Sequence, residues 1–336
     1  MRFAFALPVQ YTLDEPITQR FEELLELVRA ARDAGFDHIG APQHYLASPF
    51  QYLQPVPLLA RVAAESGDMT LGTSIMLLAL QNPVDVAESI ATLDVITGGK
   101  FVFGVGLGYR DAEFDAFGVK RGTRLGRFLE ALEVVKQLWT EESVTFEGKH
   151  FSLQDVSLTT RPVQQPRPPI VIAASNDKMI RRAATIGDAW AIAGHATFQT
   201  LEAQVALYAS ALKEAGKPFP PPYFSQGKEL FIAKDMETAR RDALPHIATK
   251  YEAYAQWGQD EVMPENETFH LPIEELAKDR FIVGDPDYCI EQIELHRSRL
   301  HVQQMSFRLH WPGMPHAKVM EAIALFGDRV IRHFKR

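Results

Sequence analysis

The strongest constraint on the fold is the stretch from Met69 to Gly118, which has the pattern of a strand–helix–strand unit. Its first part, Thr70 to Leu77, is a short apolar and β-branched run typical of a buried strand. A helical segment follows Asn82-Pro83 and stops at Thr97-Gly98-Gly99, and Phe101 to Gly106 makes a second strand. The strands of such a unit are parallel and buried, so the pattern predicts an α/β fold.

The same alternation continues along the rest of the chain. The six other predicted strands are Arg2 to Leu7, Phe36 to Ala41, Ile170 to Ala174, Gly187 to Ala193, Lys228 to Ala233 and Gln303 to Leu309. Eight strands, each followed by a helix or an insertion, favour a (β/α)8 barrel over an open sheet. Gly35 is expected to end the first helix, and Thr123 is expected to cap the helix that carries Arg124.

Two segments interrupt this rhythm. Residues 140–169 contain VTFEGKHFSL, a predicted hairpin, and RPVQQPRPP, a stiff extended connector. Residues 258–280 are polar, punctuated by proline and without a clear period, as in a lid or a disordered loop. No repeat or low-complexity linker separates domains. We therefore expect one domain over residues 1–336, with both insertions in barrel loops.

Composition narrows the range of partners. The chain carries 35 Lys and Arg against 43 Asp and Glu, a formal net charge of −8, which argues against a nucleic-acid partner. Its single cysteine, Cys289, argues against a disulfide framework, and the scattered histidines fit a metal-dependent hydrolase poorly. The N-terminal apolar run meets Pro8 too early for a signal peptide, and no run of about 18 apolar residues predicts a membrane span. A cytoplasmic protein without a metal is expected.

Landmarks along most of the chain make it resemble the bacterial luciferase-like flavin monooxygenases. In the first half they are Leu71-Gly72, Asn82-Pro83, Ala87-Glu88, Leu93-Asp94, Gly99 to Phe101, Gly104, Gly106, Gly108-Tyr109, Glu113-Phe114 and Gly118. In the second half they are Glu147-Gly148, Arg161 to Gln164, Pro168-Pro169, Arg182 to Ala184, Gly187 to Trp190 and Pro312 to Met314. The resemblance rests on the order of these pieces, since any single one is weak.

The resemblance implies a barrel that holds reduced FMN, or in one branch a deazaflavin, at the C-terminal ends of its strands. It implies that a separate flavin reductase supplies the reduced cofactor and that O2 is used to oxygenate a small organic substrate. The family commonly pairs barrels into homodimers, so a homodimer is expected. At the positions of Gly106 and Leu107, luciferase itself has a reactive cysteine and a flavin-contacting arginine, so light emission is not expected here.

His44 is the predicted catalytic residue, because it follows the second strand at the end of the barrel where chemistry occurs. It matches a family histidine that is preceded by an acidic residue, but Gln43 stands in the place of that acid. A neutral amide cannot make the histidine more basic as a carboxylate would. The resemblance favours an active-site role as a proton donor or a flavin-positioning group, and the alternative is a loop histidine with a structural role.

The glycines and polar residues at other strand ends are candidate cofactor contacts. Gly106, Gly108 and Tyr109 follow the fourth strand, where a GxGxG spacing differs from the dinucleotide-binding GxGxxG pattern. We interpret the glycines as allowing a flavin ring to approach the backbone, and the alternative is a tight turn. Thr73-Ser74 occupies the place where the family has a non-prolyl cis peptide behind the flavin ring.

Arg124 and Ser175 match family residues that bind the flavin phosphate. Arg124 lies in the first turn of a predicted helix, where a cation is unfavourable unless an anion is present. Ser175 and Asn176 start another helix, whose backbone N–H groups can hold a phosphate, although plain capping explains them equally well. His310-Trp311, at the end of the eighth strand, is expected to face the substrate pocket, and His195 is a weaker candidate.

Three functions remain open from the sequence. The first is a monooxygenase that uses reduced FMN and O2. The second uses the same fold with a deazaflavin and transfers a hydride without O2. The third is a flavin-binding protein without catalysis, which the replacement of the acid by Gln43 keeps open.

Overall fold

A closed barrel of eight parallel strands forms the centre of the computed structural model, which describes residues 1–265 and 267–335. The barrel strands are β1 (Arg2–Ala6), β3 (His38–Ala41), β5 (Thr70–Leu77), β6 (Phe101–Gly106), β9 (Ile170–Ala174), β10 (Ala189–Ile192), β11 (Ser225–Ile232) and β13 (Gln304–Arg308). Each pairs with the next strand of this series, and β13 pairs with β1 to close the ring. The (β/α)8 prediction is confirmed.

Helices cover the outside of the barrel. They are α1 (Ile17–Ala34), α2 (Pro55–Val62), α3 (Pro83–Ile96), α4 (Asp111–Ala116), α5 (Arg124–Thr140), α6 (Asp177–Ile186), α7 (Phe198–Glu214), α8 (Met236–Gln256), α9 (Ile273–Arg280), α10 (Pro286–Leu300), α11 (His316–Leu325) and α12 (Arg332–Phe334). A π-helical turn, Phe326–Ile331, joins the last two. Their apolar faces pack on the strands in one continuous core. In the described ranges, none of these helices is both long and apolar enough to cross a bilayer.

Local sequence signals explain most helix ends. Gly35 ends α1 with a φ of 93°, a backbone angle that suits glycine, as expected. Asn82 and Asn176 cap α3 and α6 through their side chains. The expectation for Thr123 is wrong in detail, because its hydroxyl donates to the Lys120 carbonyl (2.8 Å) and makes no capping bond to α5.

The insertion at residues 140–169 contains the predicted hairpin. It is formed by β7 (Val144–Glu147) and β8 (Ser152–Val156), which pair antiparallel. A second small antiparallel pair, β2 (Gln10–Thr12) with β4 (Phe50–Tyr52), lies in the loops after the first two barrel strands.

The region after α8 is more regular than its sequence indicates. Residues 258–280 are expected to lack regular structure, but they include a short turn at Asp260–Val262 and the helix α9. An extra strand, β12 (Phe281–Gly284), then pairs parallel with the C-terminal half of β11, and α10 follows it. This strand lies along the edge of β11 opposite β13, where β10 pairs with Ser225 and Gln226 and leaves the C-terminal half of β11 for β12.

Candidate active site

A cavity of about 320 Å³ opens at the C-terminal ends of the barrel strands. This is the end at which barrel enzymes carry their active sites, and the volume is in the range of small-molecule pockets. Most of the sequence-predicted site residues line it, namely His44, Ser74, Gly106, Gly108, Tyr109, Arg124, Ser175, Asn176 and His195. Thr73, His310 and Trp311 are not among the lining residues.

His44 has a carboxylate partner that the sequence analysis did not foresee. Its Nδ1 lies 3.0 Å from Oε1 of Glu113, a fully buried residue of α4 in the loop after the fourth barrel strand. A neutral imidazole that donates through Nδ1 presents Nε2 as an acceptor, and an imidazolium presents it as a donor. Glu113 therefore fixes which ring nitrogen of His44 is available to a molecule in the cavity.

Glu113 is itself held by several donors. Besides His44, its Oε1 accepts hydrogen bonds from the Tyr45 backbone N–H (2.9 Å) and from Nη1 of Arg110 (3.4 Å). Its Oε2 is buried and has no hydrogen-bond partner in the described part of the chain. The arrangement anchors one carboxylate oxygen beside His44 and leaves the second able to accept another donor.

The Gln43 side chain forms hydrogen bonds with the backbone and with a neighbouring tyrosine. Its side-chain oxygen accepts from the Leu77 N–H (2.9 Å), and its side-chain nitrogen donates to the hydroxyl of Tyr45 (2.9 Å). The expectation that His44 lacks an acidic neighbour because of Gln43 is therefore wrong. The carboxylate comes from a distant part of the chain.

Aromatic rings enclose His44. Tyr52 and Tyr109 lie edge-on to the imidazole, each with a ring-centroid separation of 5.8 Å, and Trp257 lies at 5.3 Å. The guanidinium of Arg110 sits 4.0 Å from the Trp257 ring, and Trp257 Nε1 donates to the Ser48 carbonyl (3.0 Å). Trp257, at the end of α8, thus packs against both His44 and Arg110.

The glycines after the fourth strand have neighbours inside the protein that explain them. A Cβ atom on Gly104 would lie 2.0 Å from the Thr73 carbonyl oxygen, and one on Gly106 would lie 2.7 Å from Ile75 Cδ1. Gly108 has a φ of 76°, which suits a turn residue. Close packing against β5 and a tight turn therefore account for these glycines without a ligand.

The non-prolyl cis peptide lies one residue later than expected. It joins Ser74 and Ile75, at the position where the pairing of β5 with β6 shifts register. Thr73 does not line the cavity, and its hydroxyl donates to the Gly104 carbonyl (2.7 Å). Ser74 lines the cavity.

One side of the cavity, at the ends of the fourth and fifth barrel strands, is suited to an anion. Arg124 lines it and makes no ion pair or hydrogen bond with the residues that the structure describes. Burial, and then the nearby Arg121, lower the pKa of Arg124 from its usual value. Ser175 and Asn176 lie at the start of α6, where helix geometry favours negative charge.

The opposite side, at the ends of the seventh and eighth strands, carries a buried charge cluster. Glu229 of β11 forms an ion pair with Lys250 of α8, and its Oε2 lies 3.9 Å from Nε of Arg308. Burial lowers the pKa of Lys250 to about 7, although Glu229 opposes that shift. The pairing with cations holds the pKa of Glu229 below its usual value despite burial.

The three weaker sequence candidates have different surroundings. His195 lines the cavity and contacts the Tyr251 hydroxyl through Nδ1 (3.0 Å), and burial lowers its pKa to about 3. His310 packs against Tyr11, and burial lowers its pKa to about 3 as well. Trp311 is fully buried and donates from Nε1 to Oε2 of Glu229 (2.6 Å), so it supports a residue that lines the cavity.

Comparison with known proteins agrees with this geometry. Residues 1–303 match the model of the luciferase-like monooxygenase family. The chain belongs to that family. This luciferase-like protein is accordingly an oxidoreductase, and a flavin-type cofactor is what its family uses.

Relatives of this luciferase-like protein include a monooxygenase and an F420-dependent dehydrogenase. It superposes on the monooxygenase RslO1 from Streptomyces bottropensis with a TM-score of 0.90 and 25% identity, covering 99% of this chain and 100% of the other. It is 25% identical to an F420-dependent glucose-6-phosphate dehydrogenase of Nakamurella multipartita over 92% of this chain and 91% of that protein. A 31% identical match to the Sinorhizobium fredii protein y4wF spans only about half of each, 54% and 53%.

Within residues 1–265 and 267–335, no group of three or more His, Cys, Asp or Glu side chains comes together as metal ligands would. The site of this luciferase-like protein combines the His44–Glu113 pair, Arg124 near the start of α6 and the buried ion-pair cluster around Glu229.

Proposed function

We propose that the protein binds reduced FMN in this cavity and, with O2, oxygenates a small organic substrate. The observation that carries the proposal is the guanidinium of Arg124, which lines the cavity without an ion-pair partner among the described residues. A partly buried cation at a helix start is unfavourable by itself, and a bound anion removes the penalty. A phosphate group is the anion that this side of the cavity would accept.

The donors at that side fit a phosphate. Arg124 supplies a planar set of N–H donors, which matches phosphate oxygens. The side chain of Asn176 accepts from the Met179 N–H in capping α6, and the Ser175 carbonyl accepts from Gln204 (2.9 Å), so the Ser175 hydroxyl and the N–H groups of Asp177 and Lys178 remain for a ligand.

His44, supported by Glu113, would hold or transfer a proton in the cavity. When bound, a reduced flavin supplies the two electrons with which O2 is activated. Nε2 of His44 can hold or donate a proton there, while Glu113 keeps the imidazole in one orientation through Nδ1. The aromatic rings of Tyr109 and Trp257 pack around the imidazole and limit its orientations.

Anaerobic titration of the purified protein with reduced FMN, followed by admission of O2, tests the proposal. We expect saturable binding, and we expect Arg124→Gln to weaken it about tenfold or more, the loss of a charge-assisted hydrogen bond. Arg299→Gln is the matched control, because Arg299 is an exposed arginine that pairs with Glu202. Equal affinity in the Arg124→Gln and Arg299→Gln variants would remove the phosphate assignment.

A deazaflavin-dependent hydride transfer is the second candidate. It is favoured by the relative named as F420-dependent, which aligns with nearly the whole chain. The His44–Glu113 pair suits this chemistry equally, because an alcohol substrate needs a base at the same place. Titration with reduced F420 beside reduced FMN separates the two: tighter F420 binding, with turnover that needs no O2, would replace the first proposal by the second.

The third possibility, a protein without catalysis, loses its main argument. That argument is the replacement of an acid by Gln43, and Glu113 supplies a carboxylate to His44 in its place. The remaining parts of the proposal are a separate reductase that delivers the reduced flavin and assembly into a homodimer. Light scattering over a wide concentration range tests the assembly, and a monomer mass throughout would reject it.

A further inference from the structure

The buried charge cluster of Glu229, Lys250 and Arg308 lies away from the side assigned to the phosphate. Glu229 is on the seventh barrel strand and Arg308 ends the eighth, whereas Arg124 and Ser175 follow the fourth and fifth. Strands four and eight of an eight-stranded ring are diametrically opposed. The cluster therefore faces the part of the cavity that a cofactor anchored at Arg124 leaves to the substrate.

The cluster contains two basic side chains, Lys250 and Arg308, and one acidic side chain, Glu229. Both Glu229 oxygens are engaged, Oε1 by Lys250 and Oε2 by the Trp311 indole N–H (2.6 Å). Arg308 is 3.9 Å from Glu229 and makes its close hydrogen bond with the neutral Gln10 amide oxygen (3.1 Å). Its guanidinium has more N–H donors than these contacts use, and Arg308 lines the cavity. A second negative charge would complete the cluster.

Two tyrosine hydroxyls beside the His44 ring also lack hydrogen-bond partners in the described part of the chain. The hydroxyls of Tyr52 and Tyr109 are buried and have no hydrogen-bond partner among the residues that the structure describes. Burial raises the pKa of both well above the usual tyrosine value, so both remain protonated and able to donate. The side chains of Tyr109 and Tyr254 line the cavity. An anionic oxygen on a flat molecule fits the free N–H donors of Arg308 and the aromatic lining of the cavity.

We propose that the substrate is a planar organic anion, an aromatic carboxylate or a phenolate, whose charged oxygen is bound by Arg308 and Lys250. The proposal rests on the proposed function, because the cofactor must occupy the Arg124 side. Glu229 keeps Lys250 in place, and the tyrosine rings stack against the body of the substrate. Binding the anion compensates the second buried cation, so the site prefers it over a neutral molecule of the same shape.

Calorimetric titration of the full-length protein with two pairs of probes tests the inference. Benzoate is compared with benzamide, and 4-nitrophenol with 4-nitroanisole, both without cofactor and with saturating reduced FMN. We expect each anion to bind at least about tenfold more tightly than its neutral partner. The absorbance of bound 4-nitrophenol reports whether it is ionised. A preference for benzoate alone identifies a carboxylate site, and a preference for ionised nitrophenol alone identifies a phenolate site.

Variants test whether Arg308 causes the preference for the anionic probes. Arg308→Gln should abolish it, whereas Arg308→Lys, which keeps the charge, should retain part of it and controls for loss of the fold. Arg124→Gln should keep the preference for the anion while weakening cofactor binding. A failure of the phosphate assignment therefore shows in cofactor affinity and can be distinguished from a failure of the substrate inference. Equal binding of anion and neutral partner, an undiminished preference in folded Arg308→Gln, or no binding of either anion would overturn the inference.

Discussion

Nδ1 of His44 lies 3.0 Å from Oε1 of Glu113, although the two residues are 69 positions apart in the chain. The barrel brings them together, because His44 follows the second strand and Glu113 follows the fourth, and both loops lie at the same end of the ring. A histidine in a loop thereby gains a fixed tautomer and a fully buried partner. The first predictions concern this pair.

Replacing either member should lower turnover without removing the cofactor site. His44→Ala removes the proton-holding Nε2 and should reduce kcat about 10²–10⁴-fold, the usual contribution of general acid–base catalysis. Glu113→Gln keeps the shape but removes the charge beside the imidazole, so it should reduce kcat in the same direction by a smaller factor. Steady-state kinetics and reduced-cofactor affinity check this. The exposed His270, changed to Ala, is the control. Unchanged turnover in His44→Ala would make His44 structural.

Gln43→Glu should destabilise the protein and leave the His44 environment largely unchanged. The Gln43 side chain bridges the Leu77 N–H and the Tyr45 hydroxyl, and a carboxylate there would be a buried charge without a cation of its own. We expect a loss of about 1–3 kcal/mol in the free energy of unfolding. Urea denaturation measures it, with the exposed Gln199→Glu as the matched change. Wild-type stability in Gln43→Glu would mean that this bridge contributes little.

The buried histidines should make the fold sensitive to acid, and His296 allows a clean test. Burial, and then Lys228, lower the pKa of His296 to about 2, and its ring packs against Phe198. The usual histidine pKa is about 6.5, so between about pH 6.5 and about pH 2 this histidine is protonated in the unfolded chain but not in the folded chain. The free energy of unfolding therefore falls as the pH falls through this window. His296→Leu should therefore lose less free energy of unfolding between about pH 6.5 and 4 than the wild type, by about 3 kcal/mol.

Urea denaturation at several pH values measures that slope. The control is His270→Leu, which changes an exposed histidine and should follow the wild-type slope. A slope in His296→Leu equal to that of the wild type would show that this histidine is protonated, or solvated, in the folded protein.

The arrangement of strands was predictable from local pattern, because each barrel strand is a short apolar run next to a helix. Two failures have physical reasons. The extra strand β12 follows the polar stretch at 258–280 and pairs with β11 on the edge opposite β13, beyond the short pairing of β10 with Ser225 and Gln226, so a fold of eight barrel strands does not require it. Thr123 precedes a helix as a cap would, but the turn before it offers the Lys120 carbonyl to its hydroxyl.

Residues of the site could be predicted only where their position relative to a strand end or a helix start points to the cavity. His44, Arg124 and Ser175 line the cavity, and their positions after strand ends or at helix starts are what singled them out in the sequence. Glu113 was not assigned a role, because its contact with His44 depends on how two loops meet. Glu229 and Arg308 did leave a signal, since each is a charged residue in a strand of the barrel, and a charge buried there needs a partner.

Trp257 should act on catalysis through Arg110. Its ring lies 4.0 Å from the Arg110 guanidinium, and Arg110 donates both to Glu113 (3.4 Å) and to the Tyr45 carbonyl (2.7 Å). Such a contact contributes about 0.5–2 kcal/mol. Trp257→Ala should free Arg110 and loosen the carboxylate that orients His44, and Trp257→Phe should preserve the stacking. We expect kcat to fall several-fold in the alanine variant and to recover in the phenylalanine variant, with cofactor affinity unchanged in both. A fall in cofactor affinity without a fall in kcat would instead make Trp257 part of the cofactor site.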